Sequence, residues 1–175
     1  IVQWMERPNL SLTWNRMEAP NRSGTLIEAF DPLGESVMKK ALVIGSEGNI
    51  GVPLVKYLAS KGYEVKEADI RPGWRPNYLV ADINHPIDLL PAFDWGPDVV
   101  FILSAMVSRV TCEQASGLAI ATNLAGINNV IQLCKRVNAM TVFFSTSEVY
   151  GPACDPMDEA LADPEAEARM GLVMD

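Results

Sequence analysis

The feature that most limits how this chain can fold is a turn of glycines between two apolar segments. Ala41-Leu42-Val43-Ile44 carries no polar side chain and runs into Gly45-Ser46-Glu47-Gly48-Asn49-Ile50-Gly51. A short run that is apolar at every position reads as a strand covered on both faces. Residues 49–61 then place Ile50, Leu54, Tyr57 and Leu58 at helical spacing, with Pro53 in the first turn, where a missing N–H costs little. Gly62 stands where a left-handed helix cap is needed. In a strand–turn–helix unit of this kind each glycine has a task. The first permits the tight turn, the second removes a Cβ where a pyrophosphate would approach, and the third lets helix and strand pack closely. Free N–H groups at the positive end of the helix then suit an anion. Gly45, Gly48, Asn49, Ile50 and Gly51 are the candidates for that contact.

Further on, strands and helices alternate. Residues 63–70 predict a second strand and Tyr78–Val80 a short third. Residues 99–103 predict a fourth, and Met140–Phe144 a fifth. Between the last two, residues 113–137 predict one long helix, with Leu118, Leu124, Ile127, Ile131 and Cys134 facing one way. Strands separated by helices cannot be hairpins, so the sheet is expected to be parallel with right-handed crossovers. The fold class is α/β, a doubly wound, Rossmann-like parallel sheet that is incomplete at its C-terminal side. Asp69 ends the second strand, 18 residues after Gly51. A carboxylate there can accept both ribose hydroxyls of an adenosine and would repel a 2′-phosphate, which favours NAD over NADP. Ile70 belongs to the same turn, and Arg71 can soften the preference by pairing with a phosphate. The plainer reading of Asp69 is a strand-end turn residue. Glu47 is unexpected beside phosphates and is expected to point to solvent.

Composition narrows the remaining choices. With 175 residues and 49% hydrophobic side chains, the chain can build one domain with a real core, but not two large ones. The longest apolar run, 99–107, is too short to span a bilayer, and the first residues lack a signal pattern. A cytoplasmic protein is expected, with no membrane partner. The formal net charge of −8 is concentrated in residues 152–175, which hold one basic and seven acidic side chains. That tail reads as a solvated loop, or else as an interaction segment. No basic stripe is present for nucleic acid. Cys112, Cys134 and Cys154 form no CxxC pair, and His85, in a turn, is the one histidine, so no metal site is expected. Three segments follow: an appended arm of unassigned role at 1–37, a cofactor-binding domain at 38–151 and an acidic loop leading toward a substrate region at 152–175.

The glycine turn, Asp69 and Ala81-Asp82-Ile83 together resemble the extended short-chain dehydrogenase/reductase superfamily. Ser104-Ala105-Met106 after the fourth strand, Thr122-Asn123 with Gly126 in the long helix, and Ser145-Thr146-Ser147-Glu148-Val149-Tyr150-Gly151 agree with it. So does Pro156-Met157-Asp158-Glu159. The likeness covers 39 to about 160 and is closest to the nucleotide-sugar epimerases and dehydratases. It implies bound NAD that takes hydride from a sugar carbon to give a 4-keto intermediate, and a homodimer built on the long helix. Asp82 and Ile83 would lie along the adenine. Ser104, Ala105, Met106, Asn123 and Ser145 would line the cofactor. Thr146 would touch the substrate oxygen, with Ser147 and Glu148 beside it. Related dehydratases carry Thr-Asp-Glu here, and Ser147 cannot protonate a leaving hydroxyl as an Asp does. The Thr-Ser-Glu form resembles UDP-glucuronate decarboxylases and also occurs in less specialised epimerases.

The superfamily's base is a Tyr with a Lys four residues on, expected some two or three dozen residues past the Ser-Thr-Ser stretch. Residues 152–175 contain neither. Tyr57 and Lys61 have the spacing but lie in the first helix, where Tyr57 is expected to pack. Two readings stay open. The chain is part of a longer enzyme, or it is a noncatalytic NAD-binding module whose residues 1–37 cover the exposed flank of the sheet.

Overall fold

A computed structural model describes residues 39–145 in full, and residues 2–5 and 14–16 by their backbone. Along the chain come β1 (Val2–Met5), β2 (Trp14–Arg16), β3 (Lys40–Ile44), α1 (Gly51–Ser60), β4 (Glu64–Asp69), β5 (Tyr78–Val80) and α2 (Pro86–Phe93). They are followed by β6 (Val99–Ile102), α3 (Arg109–Gln114), α4 (Ser116–Ile120), a π-helical turn (Ala121–Gly126), α5 (Ile127–Val137) and β7 (Met140–Phe144). Residues 2–143 form one compact unit; Phe144 and Ser145 fall outside it.

The strand order is β2-β1-β7-β6-β3-β4-β5. Five strands from β5 to β7 run parallel, with Ile44 opposite both Ala68 of β4 and Ile102 of β6. Ala41 to Ile44 and all of β6 are buried, as expected of strands covered on both faces. The chain leaves β3 toward β4 on one side and reaches β6 and β7 on the other. Right-handed crossovers in opposite directions put α1 on one face and α2 and α5 on the other. Leu54 and Leu58 are the buried apolar side chains of α1, which packs on β3 and β4, while α2 and α5 pack together and bury Leu89, Phe93, Val130 and Ile131. Burying each such side chain contributes roughly 1.5–3 kcal/mol. β1 lies beside β7 and pairs antiparallel with β2, so backbone of the 1–37 segment continues the sheet past its parallel part.

Three local expectations need correction. Ile50 is 53% exposed, because the helix begins one residue later and turns that side chain outward. The helix α2 was not expected. Pro91 within it masks the apolar spacing of Leu89, Ala92 and Phe93, although Pro86 opens its first turn. The single helix over 113–137 is three helices and a π turn. Ser108 caps α3 by accepting from the Thr111 N–H at 3.4 Å. At Ala115 the backbone leaves the helical region (φ −133°, ψ 53°). Consequently Leu118 and Leu124 are exposed, while Ile127, Ile131 and Cys134 are buried as expected. No helix among the described residues is long and apolar enough to cross a membrane.

Candidate functional site

The parallel register brings the C-terminal ends of β3, β4 and β6 to one edge, at the point where the strand order reverses. Ligands of open α/β sheets bind at such a point. Gly45 leaves β3 at φ +89°, and a Cβ there would stand 2.8 Å from the Leu103 carbonyl carbon and the Ser104 nitrogen. The turn is held down by the Gly45 and Ser46 N–H groups, which both donate to the Ala68 carbonyl (2.8 and 3.2 Å). At Gly51 a Cβ would lie 2.7 Å from Ser46 backbone atoms, so the third glycine allows the helix to start against the turn. Gly48 is different: a Cβ there would approach only the Gly45 carbonyl, at 3.3 Å.

Helix α1 begins without a side-chain cap and without an acidic residue in its first turn. The N–H groups of Asn49, Ile50 and Gly51 make no backbone hydrogen bond among the described residues. Orphan amides at a helix N-terminus form an anion site. Ser46 adds a second sign of a missing partner, since its hydroxyl is fully buried with no hydrogen bond.

Asp69 is 8% exposed and tied to the turn. Its Oδ2 accepts from the Glu47 N–H (2.9 Å) and its Oδ1 from the Arg71 N–H (3.0 Å). A carboxylate has about four lone-pair directions, so acceptor capacity is left for two hydroxyls. Arg71 donates from Nη1 to the Glu47 carbonyl at 2.9 Å, and Ile70 is exposed. Glu47 does not simply face solvent. It pairs with Arg75, which also holds Glu67. The reason is electrostatic: a guanidinium within reach neutralises the carboxylate, which leaves no need for full hydration. Tyr78 closes this corner, its hydroxyl donating to the Arg71 carbonyl at 2.6 Å. Burial, and then the charges of Asp69 and Glu47, push the Tyr78 phenol up to about 12.

The neighbouring loop continues the edge, because the Ala81 N–H donates to the Asp69 carbonyl at 2.9 Å. Asp82 Oδ1 accepts from both the backbone and the side chain of Asn84 (2.9 Å each). Ile83 is buried, and a Cβ on Gly126 would sit 2.8 Å from it. The π turn supplies the rest of the support. Thr122 Oγ accepts from Asn84 at 3.1 Å, and Asn123 both accepts from the Met106 N–H (2.8 Å) and donates to the Met106 carbonyl (2.9 Å). Asn123 thereby fixes the Ser104-Ala105-Met106 loop through its backbone.

The structure thus joins Gly45, Gly48, Asn49, Ile50, Gly51, Asp69, Ile70, Arg71, Asp82, Ile83, Ser104, Ala105, Met106 and Asn123 along one edge. Ser145, taken by itself, has a buried hydroxyl without a partner. Thr146, Ser147 and Glu148 lie outside the described residues, as does Cys154. Sequence reasoning missed Arg75, Tyr78 and Asn84; only Asn84 left a signal, in the Asp82-Ile83-Asn84 spacing of an Asx turn. No group of metal-binding side chains occurs among the described residues.

A doubly wound sheet with this turn, this strand-end carboxylate and this loop at its reversal point defines a Rossmann-type nucleotide-binding domain. The chain belongs to the NAD dependent epimerase/dehydratase family, which it matches over residues 41–169. It is 31% identical, over 69% of its length and 40% of the relative, to a UDP-N-acetyl-alpha-D-glucosaminuronate decarboxylase of Bacillus cytotoxicus. It is 30% identical, over 62% of its length and 30% of the relative, to a decarboxylating sterol-4-alpha-carboxylate 3-dehydrogenase of Bos taurus. Among solved structures it resembles a short-chain dehydrogenase/reductase superfamily protein of Agrobacterium tumefaciens with bound NAD. That match has a TM-score of 0.56 and 26% identity, covering 64% of this chain and 34% of the other. The chain therefore spans less than half the length of the relatives it matches.

Proposed function

We propose that this chain is the cofactor-binding part of an NAD-dependent enzyme acting on a nucleotide-sugar, with epimerase or dehydratase-type chemistry through a 4-keto intermediate. The observation that carries the cofactor is that three amides without a hydrogen-bond partner among the described residues belong to the same turn whose Glu47 N–H is bound to the strand-end carboxylate of Asp69. The residues fit the group: Gly48, Asn49, Ile50 and Gly51 would take the pyrophosphate, and Asp69 the adenosine ribose. Asp82 and Ile83 would flank the adenine, and the Ser104–Met106 loop with Asn123 would shape the far side. When bound, NAD supplies a hydride acceptor. Thr146 would hold the substrate oxygen, beside Ser147 and Glu148, and Ser145 would join the cofactor side.

A decarboxylase-like reaction is the second reading. The Thr146-Ser147-Glu148 sequence and the likeness to the Bacillus cytotoxicus enzyme favour it. Segment 38–151 is the cofactor domain in either case, with 1–37 an added arm and 152–175 the approach to the substrate region. A homodimer is supported by the exposed apolar side chains Val110, Leu118, Ile120 and Leu124. A cytoplasmic location suits the unpaired thiols of Cys112 and Cys134.

Binding is tested by titrating NAD into wild type, Gly48→Val and Asp69→Ala. Both variants should lose affinity at least tenfold, and unchanged affinity in both would remove the assignment. Assay of the natural protein with UDP-glucuronate and UDP-hexoses separates decarboxylation from epimerisation. Dinucleotide binding without turnover of any sugar would leave a noncatalytic module.

A further inference from the structure

Beside the carboxylate of Asp69 stand three charged side chains that the cofactor assignment does not use. Arg75 grips Glu67 with a planar two-point contact, Nε to Oε1 at 2.9 Å and Nη2 to Oε2 at 2.8 Å. The same Nη2 reaches Glu47 Oε1. Glu47 is the residue whose N–H donates to Asp69, so this ion-paired group begins at the carboxylate expected to meet the ribose. Arg71 approaches from the same side and rests on the Glu47 carbonyl; it makes no ion pair among the described residues. Two guanidiniums therefore meet at Glu47, whose N–H is bound to Asp69, and guanidinium is the donor chemistry a 2′-phosphate requires. One of them is already occupied by two carboxylates.

We propose that Glu47 and Arg75 set the selectivity between the two dinucleotides, Glu47 holding the Arg75 fork so that a 2′-phosphate finds that cation spent. The proposal rests on the cofactor reading above and makes Glu47 a second selectivity carboxylate beside Asp69. A 2′-phosphate brings up to about two negative charges. With Glu47 in place it would meet the carboxylates of Asp69 and Glu47 and compete for a guanidinium that already makes three hydrogen bonds to carboxylates. With Glu47 neutral, Arg75 keeps one anionic partner and has N–H groups to offer. If the group merely braced the loop, removing Glu47 would weaken both dinucleotides alike and leave their ratio unchanged.

The test is the ratio of NADP to NAD dissociation constants, measured by calorimetric titration of the full chain. Glu47→Gln should shift the ratio about tenfold toward NADP, and Glu47→Lys further. The double variant Glu47→Gln/Arg75→Gln should return the ratio to the wild-type value. Circular dichroism checks folding, and Glu47→Lys supplies the reading if Glu47→Gln does not fold. A ratio within twofold of wild type in the folded Glu47 variants overturns the proposal, and so does a double variant that keeps the shift. Wild-type protein that binds neither dinucleotide overturns the cofactor reading and this inference with it, whereas binding with an unmoved ratio overturns this inference alone.

Discussion

At the scale of single residues, the site is a set of backbone positions guarded by a few side chains. Tyr78 shows how tightly its charged corner is built. Its phenol has an ordinary value of 10.0 in the unfolded chain and about 12 in the folded one, chiefly because burial penalises the phenolate. Between those values the folded state keeps a proton that the unfolded state releases. Stability tied to Tyr78 is therefore full below about pH 10 and is lost as pH rises toward 12. Thermal melts from pH 9 to 11.5 should show a steeper fall for wild type than for Tyr78→Phe; parallel curves would contradict this assignment. Gly45 and Gly51 were legible in the sequence because a tight turn and a close helix–strand approach admit few other residues, and Asp69 was legible as the carboxylate that ends the strand. Arg75 was not, since its partners Glu47 and Glu67 are 28 and 8 residues away and meet it only once β3, β4 and β5 have paired.

At the scale of elements, the strands were the easiest part to read and the helices on the β6–β7 crossover the hardest. Tyr78–Val80 and Met140–Phe144 stand where their β-branched, aromatic and apolar runs put them. The crossover misled because its apolar residues do recur at helical spacing, yet the chain breaks phase at Ala115 and again in the π turn. That turn is not a defect of the helix. It aims Thr122 at Asn84, Asn123 at Met106 and Gly126 at Ile83, as π turns at functional sites commonly do. Asn123→Ala should remove both bonds to Met106 and cost about 1–2 kcal/mol. It should also lower dinucleotide affinity several-fold while leaving the α5 helix intact. Denaturant unfolding and NAD titration check the two effects, and a variant with wild-type affinity would show that the Met106 loop needs no such anchor.

For the whole molecule, the parallel direction of the sheet was legible because strands alternating with helices leave little freedom, and the place of β1 beside β7 agrees with an arm that covers the exposed flank, although 1–37 shows no periodicity from which its strands could be read. With β1 beside β7, removing residues 1–37 should bare a strand edge and its unpaired N–H and C=O groups. The shortened chain should melt at lower temperature and show growth of large particles by light scattering; an equally stable, monodisperse product would mean that β7 needs no neighbour. The same pairing also bears on the order of events during synthesis. β1 is made before every other described strand, yet β7, which it adjoins, begins 135 residues after β1 ends. At translation rates of roughly 5–20 residues per second, the arm must wait on the order of ten seconds for its place to exist. During that interval its strand-forming residues are open to any passing edge, so the ribosome-bound chain is the stage at which this protein is most exposed to chaperones and to its own copies.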